Sequence, residues 1–297
     1  MAKYNVSLFH VEKPLAPLTP AAMDYARYKP CAEGAEFSIG MVNAGPVPGQ
    51  GFEWSTGGSR IWQFTAESRK VPDKWMDAEY LRRITGKDLT GEERLAIREQ
   101  TKAELWEKIV PTHKHGWAAY IAEASLLIVC APVRLVEDIT HCLRMALSSL
   151  PIKPAWQPAA FEAMVKDMIN RDCDEVDEEL RLGKQVDMYD GSGREKVVVK
   201  FRNYDHLQEN VHVADHMRRC KNVASAGFNL PGVYDGDDDL DDFVSTKHSE
   251  LAVQEVKDKE ADQFGTILHR ISVARMIAEK LQNVTDGYTS DNWRDVS

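Results

Sequence analysis

The chain has 297 residues, 43% hydrophobic and 28% charged, which suits a soluble globular protein of one large or two ordinary domains with a real core. No run approaches ~18 consecutive apolar residues, and the opening MAKYNVSLFHVEKP lacks the apolar centre of a secretory signal, so neither a membrane span nor export is expected and the cytoplasm is the expected compartment. The net charge of −10 argues, taken alone, against a nucleic-acid partner.

In chain order, residues 4–11 (YNVSLFHV) read as a strand. Thr19 is placed to cap a short helix that opens with Pro20 and runs to about Arg27. The Gly- and Pro-rich segment 29–52 reads as a strand flanked by loops, and SRIWQFTAES alternates as a half-buried strand does. The clearest helix begins at Thr90, where Glu93 completes a capping box. Leu95, Ile97, Leu105, Trp106, Ile109 and Val110 give it an apolar face, and Pro111 ends it. THKHGW follows as a short basic-aromatic link, then AYIAEASLLIVCA as a buried strand or strand pair turning near Glu123–Ser125. A second amphipathic helix carries Val136, Ile139, Leu143, Ala146 and Leu147 on one face. SLPIKPAWQP closes the first half.

The second half is less regular. AFEAMVKDMI is helical, DEVDEELRLG is an acidic solvated run, and KVVVKF is a short strand. HLQENVHVADHMRRCKNVAS reads as a helix or helical loop, VYDGDDDLDDF as an acidic turn, and Asp262 to about Asn283 as a helix with a long apolar stripe. Mixed elements without a βαβα rhythm predict an α+β fold. The expected division is 1–155, an N-terminal α/β region with the long charged helix, and 156–297, with a basic strand, an acidic loop and the terminal helix.

Charge is unevenly distributed. From Asp172 to Glu260 there are 22 acidic and 12 basic residues, yet Arg194–Lys221 inside that stretch holds seven basic and four acidic. Lys196, Lys200 and Arg202 alternate with apolar residues, so a strand would put them on one face opposite Val197, Val199 and Phe201. A basic face over an apolar one suits a strand lining a DNA channel, and equally a solvated edge guarded by lysines. Arg218, Arg219 and Lys221 form a second small cluster.

Catalytic signatures are sparse. Five scattered cysteines with no C-x-x-C indicate reduced thiols rather than a zinc site. His113 and His115 have no third ligand nearby, and His212 and His216 share a helix face without the H-E-x-x-H order. The acidic turn lacks the EF-hand order, and no phosphate loop or nucleophile elbow occurs. Glu255-x-Lys257 and Pro72-Asp73 match fragments of a nuclease pattern but lie far apart. No catalytic residue, metal or cofactor is expected.

An ordered string of segments resembles the RdgC-type recombination-associated proteins: NVSLFHV, KPCAEGAEFSIGMV, the charged helix ending in proline, LLIVCA, SSLPIKP, KVVVKFRN, VADHMRRCKNVAS and the closing helix. SSLPIKP, similar to an L-G-S-L-P-V-x-P segment, is the most specific. The resemblance covers roughly 1–155 and 194–285. It implies a mixed α/β subunit that closes into a ring-shaped homodimer, passes duplex DNA without sequence preference, and limits access of the recombinase. It points to the bend Thr112–Trp117 with Lys114 and Trp117, to Arg202 with Asn203, and to Lys221 as DNA contacts. Lys196, Lys200, Arg218 and Arg219 extend that set, and a nucleoid location follows. The family's late basic D-G-x-L-K-R segment stands here as DGDDDLDDF. That change supports an alternative, an acidic inhibitor that binds a recombinase or nuclease. A metal-dependent exonuclease is the second alternative.

Overall fold

The computed structural model describes residues 3–32, 34–47, 49, 51–170, 180–191, 197–202, 207, 210–218, 222–230, 240–254 and 262–288. The first strand, β1 (Lys3–Val11), runs into α1 (Pro20–Ala26), whose cap is Thr19 accepting from the Ala22 N–H. An antiparallel ladder follows: β2 (Phe37–Val42), β3 (Glu53–Thr56) and β4 (Ser59–Ser68). Two helices, α2 (Asp73–Ile84) and α3 (Gly91–Lys108), then pack on each other, and α3 carries the full Thr90/Glu93 capping box. The chain continues through β5 (Thr112–Ile121), β6 (Leu126–Cys130), α4 (Val133–Leu147), β7 (Ile152–Pro154) and α5 (Pro158–Asn170). The second half adds β8 (Arg181–Asp190), β9 (Val197–Phe201), α6 (Val211–Arg218), β10 (Asn222–Leu230), β11 (Leu240–Thr246), β12 (Glu250–Gln254) and α7 (Gln263–Asp286).

Twelve strands make one antiparallel sheet in the order β2-β4-β5-β6-β1-β12-β11-β10-β8-β9, with β3 on β4 and β7 on β1. The fold is α+β, with seven helices among the described residues. Strand alternation splits the core. Ile61, Trp117, Ala119, Leu126, Ile128, Val6 and Leu8 join α5 and α7 on one face. Trp62, Phe64, Ala118, Tyr120, Leu127 and Val129 join α1 and α4 on the other. In the second half Val186, Met188, Phe201, Val223, Ala226, Phe228 and Phe243 all belong to the first face. There Phe161 sits between Trp156 and Phe228, with ring centroids 6.2 and 6.1 Å away. Asp262 caps α7 by accepting from the Gly265 N–H at 2.6 Å. Ile267, Ile271, Ala274, Ile277, Ala278 and Leu281 are buried, the stripe expected from the sequence.

Several expectations change. THKHGW is no link: it opens β5, paired residue for residue with β4 from Thr112↔Ser68 to Ile121↔Ser59. Gly116 lies in that stretch because a Cβ there would come 2.6 Å from Ile139 Cδ1 of α4. The α3 stripe is only partly used, since Leu95 is 59% and Val110 83% exposed while Trp106 is buried. Trp106 is fixed by donating Nε1–H to the Ala35 carbonyl at 3.2 Å and by the Arg69 guanidinium 4.6 Å above its ring. Arg83 of α2 pairs with Glu79 of its own helix and ties it to α3 through Glu104. The expected helical segment 206–225 is helical only at 211–218 and a strand from Asn222. Leu240–Phe243, expected in the acidic turn, belong to β11, while the other acidic residues of that turn and most of the acidic run before β8 fall outside the described residues.

Candidate nucleic-acid interface

β9 is the last strand of the sheet path and pairs with β8 from Val186↔Phe201 to Asp190↔Val197. Directly opposed residues share a face, so Phe201 and Val199 point with Val186 and Met188 into the core. The expected alternation holds there: Phe201 is buried and Val199 half-buried. It fails at Val197, which is 57% exposed because the strand has passed the edge of the core. Lys200 is exposed and lies opposite Asp187. Arg202 is ion-paired with Asp187 and donates Nη1–H to the Phe201 carbonyl at 2.9 Å. One carboxylate thus offsets part of the basic face of this strand.

Lys114 and Trp117, expected together at one bend, are separated by the pleat of β5. Lys114 is exposed opposite Ala66 on the face of α1 and α4. Trp117 points the other way, 6% exposed, with the Phe264 ring edge-on at 6.1 Å. Its indole is a core group. Arg218 ends α6, which lays the His216 ring 5.6 Å from Phe201. Lys196, Asn203, Arg219 and Lys221 lie outside the described residues.

Register carries the face of Lys114 across the whole sheet. Ala118 opposes Val129, Val129 opposes Ser7, and from β1 the same face passes through Asn5↔Ala252, Val244↔Ala252, Gly227↔Val244 and Ser225↔Asp187 to Lys200. Lys114 and Lys200 therefore share one face, seven strand steps apart, which is about 34 Å at ~4.8 Å per step. A twist of about 20–25° per step makes such a face wrap rather than lie flat. In the second half, the described helices α5 and α7 pack on the opposite face.

A third place was not read from the sequence as a site. A cleft of about 490 Å³ opens where α7 begins, between β1, β5 and β6. Lys3, His115 and Arg270 line it, with Tyr4 and Trp117 as its aromatic walls. Arg270 lies 4.9 Å over the Tyr4 ring, and His115 Nδ1 is 3.1 Å from Thr65 Oγ1. Burial pushes the Cys130 thiol at its floor up to about 12, with the Arg270 charge pulling the other way. The sequence held only indirect signs, an arginine inside the apolar stripe of α7 and a lysine at the first strand position.

Metal chemistry has less to work with. Among the described residues no three His, Cys, Asp or Glu side chains gather as a metal site. Asp190 accepts from the Gly191 N–H at 2.9 Å, Asp73 opens α2, and Glu255 and Lys257 lie outside the described residues.

The family described as "Putative exonuclease, RdgC" matches residues 4–229. The chain belongs to the RdgC family. That span takes in nearly all of β1 through β10, hence most of the sheet with Lys114 and Lys200. Membership is consistent with a recombination-associated role. No curated protein matches this RdgC-family chain. None of its described helices is long and apolar enough to cross a membrane.

Proposed function

We propose that the chain binds double-stranded DNA without sequence preference, as a ring-shaped homodimer that limits recombinase access, and that it acts by occupying DNA rather than by catalysis. The observation that carries this reading is the shared sheet face bearing Lys114 and Lys200 in a chain of the RdgC family. α4 covers the stretch of that face over Ala118 and Val129, so the two exposed lysines flank a covered part of it; exposed cations so placed neutralise phosphates and release counterions, which needs no base contacts. The net charge of −10 keeps the remaining surface from holding DNA loosely. Such a protein would be nucleoid-associated. The test is equilibrium binding of two duplexes of unrelated sequence, with the mass of the free protein measured beside it. Equal affinities from a dimer are expected. A monomer that binds neither duplex at low salt would overturn the reading and favour an acidic inhibitor of a recombinase or nuclease.

The family description favours a second reading, an exonuclease. In its metal-dependent form it requires loss of end-labelled DNA in magnesium or manganese, because such a nuclease holds its ions with clustered carboxylates. Intact label after prolonged incubation with either metal would remove it.

A further inference from the structure

The flank of α3 beside the loop that leads into β2 is grooved. Trp106 turns towards that loop and donates Nε1–H to the Ala35 carbonyl. Next to it lies a cavity of about 420 Å³, lined by Trp106, Ala103, Gly34, Lys102 and the carboxylates of Glu99 and Glu107. Gly34 has φ +78, and a Cβ added there would meet nothing within 4 Å, so the loop side is open. Glu99, Ala103 and Glu107 recur every four residues and so form one row along the helix. At ~1.5 Å per residue the backbone carries the two glutamates about 12 Å apart, with an alanine between them. Three cations nearby have partners of their own. Lys102 is ion-paired with Glu36 at 2.9 Å, Arg69 over the Trp106 ring is paired with the buried Glu67, and Arg98 lies 6.0 Å over the Tyr80 ring of α2. Glu99 and Glu107 are both exposed, and neither is ion-paired with a described residue.

We propose that this cavity binds an aliphatic polyamine, a linear chain of ammonium groups joined by methylene spacers. Each end of the row offers a carboxylate to a terminal ammonium, and charge-assisted hydrogen bonds fix the two ends. Between them the methylenes lie against Ala103 and the Trp106 indole, where apolar surface leaves water. The spacing selects the ligand. A triamine with three- and four-carbon spacers spans roughly 11 Å when extended, close to the separation of the two glutamates. A four-carbon diamine spans only roughly 6 Å and reaches one carboxylate at a time. A single divalent ion cannot bridge the row, because its oxygen ligands must stand within about 2–2.6 Å of it. Phosphate groups are repelled by the same two charges, so the cavity is no extension of a DNA surface. The inference is independent of duplex binding by the sheet, since neither Lys114 nor Lys200 lines the cavity.

The test is calorimetric titration with spermidine, 1,4-diaminobutane and butylamine at about 0.15 M salt, where loose attraction to the acidic surface is screened. The proteins are the wild type, Glu99→Gln, Glu107→Gln, the double variant and the control Glu137→Gln, which removes an exposed carboxylate of α4 outside the cavity. Both cavity glutamates are exposed, so glutamine at either leaves the fold intact. The wild type should take up one spermidine per chain, more tightly than the diamine and far more tightly than the monoamine. Spermidine binding should weaken roughly threefold in each single variant and roughly tenfold in the double variant, with the control unchanged. Absence of heat with spermidine at millimolar concentration, or equal affinity in the wild type and the double variant, overturns the proposal. Equal weakening in Glu137→Gln also overturns it, because net charge alone would then explain the binding.

Discussion

Replacing Gly40 with alanine should cost more than its one methyl group suggests. A Cβ at Gly40 would stand 2.4 Å from Tyr28 Cα, 2.5 Å from Tyr28 N and 2.8 Å from Arg27 C. Carbon atoms in contact prefer about 3.5–4.0 Å, so the two segments must part by about 1 Å. All three neighbours are backbone, and no rotamer change can relieve them. The same shift would stretch the 2.9 Å bond from the Tyr28 N–H to the Met41 carbonyl beyond useful range. It would also disturb Tyr28 Oη–H, which donates to the buried Glu67 carboxylate at 2.6 Å. Overpacking of about 1–3 kcal/mol and one lost hydrogen bond of about 1 kcal/mol give a loss of about 2–4 kcal/mol. With a slope of roughly 3 kcal/mol per molar urea, the unfolding midpoint should fall by about 1 M. Gly91→Ala is the control, since a Cβ there meets nothing within 4 Å and alanine is the better helix former at the start of α3. A Gly40→Ala midpoint equal to that of the wild type would refute the close approach of β2 and Tyr28.

Three further outcomes follow from the charges and thiols. Hydrogen bonds from Arg82 and then Arg83 hold Glu79 well below the ordinary 4.5, at about 2. A depressed carboxylate stabilises above its unfolded value and loses that contribution as the pH falls through the folded one. The gap in urea midpoint between wild type and Glu79→Gln should therefore be full at pH 6 and shrink from pH 4.5 towards 2; a gap that widened on acidification would contradict the cluster. Burial pushes Cys130 to about 12 and Cys142 to about 11, so at pH 8 both should resist alkylation in the folded chain and react in urea, as site-resolved mass spectrometry would report. Arg202→Ala strands the half-buried Asp187, so it should lower stability as well as DNA affinity, whereas Lys200→Ala should lower affinity alone; equal midpoints for the two variants would break that distinction.

Local signals were read well where a side chain does local work. Thr19 and Thr90 with Glu93 each cap the helix that the sequence assigns to them, and the last helix begins where the sequence places it, at Asp262. The stripes of α4 and α7 point at the sheet because their apolar residues recur at helical spacing. α2 was missed since Met76 is its sole buried residue and no stripe marks it. The strands β8 and β10 were missed for a different reason. Their pairing shifts register between Val223 and Ser225 and between Ala226 and Phe228, which breaks the period of two. THKHGW reads as a link because its first four residues are polar, although hydrogen bonds to β4 hold them extended. Of the proposed site, the outward direction of Lys200 followed from alternation alone. The shared face of Lys114 and Lys200 did not, because it depends on the order of the eight strands from β5 to β9.

The most direct measurement is duplex affinity as a function of salt for the wild type, Lys114→Glu, Lys200→Glu and the double variant. Neither lysine is ion-paired with a described residue, so charge reversal there removes phosphate contacts without stranding a carboxylate. Each lost contact should reduce the slope of log K against log salt by about 0.9, hence by roughly two per subunit in the double variant, whatever the DNA sequence. Unchanged slope and affinity in the double variant would contradict the claim that this face of the sheet holds DNA.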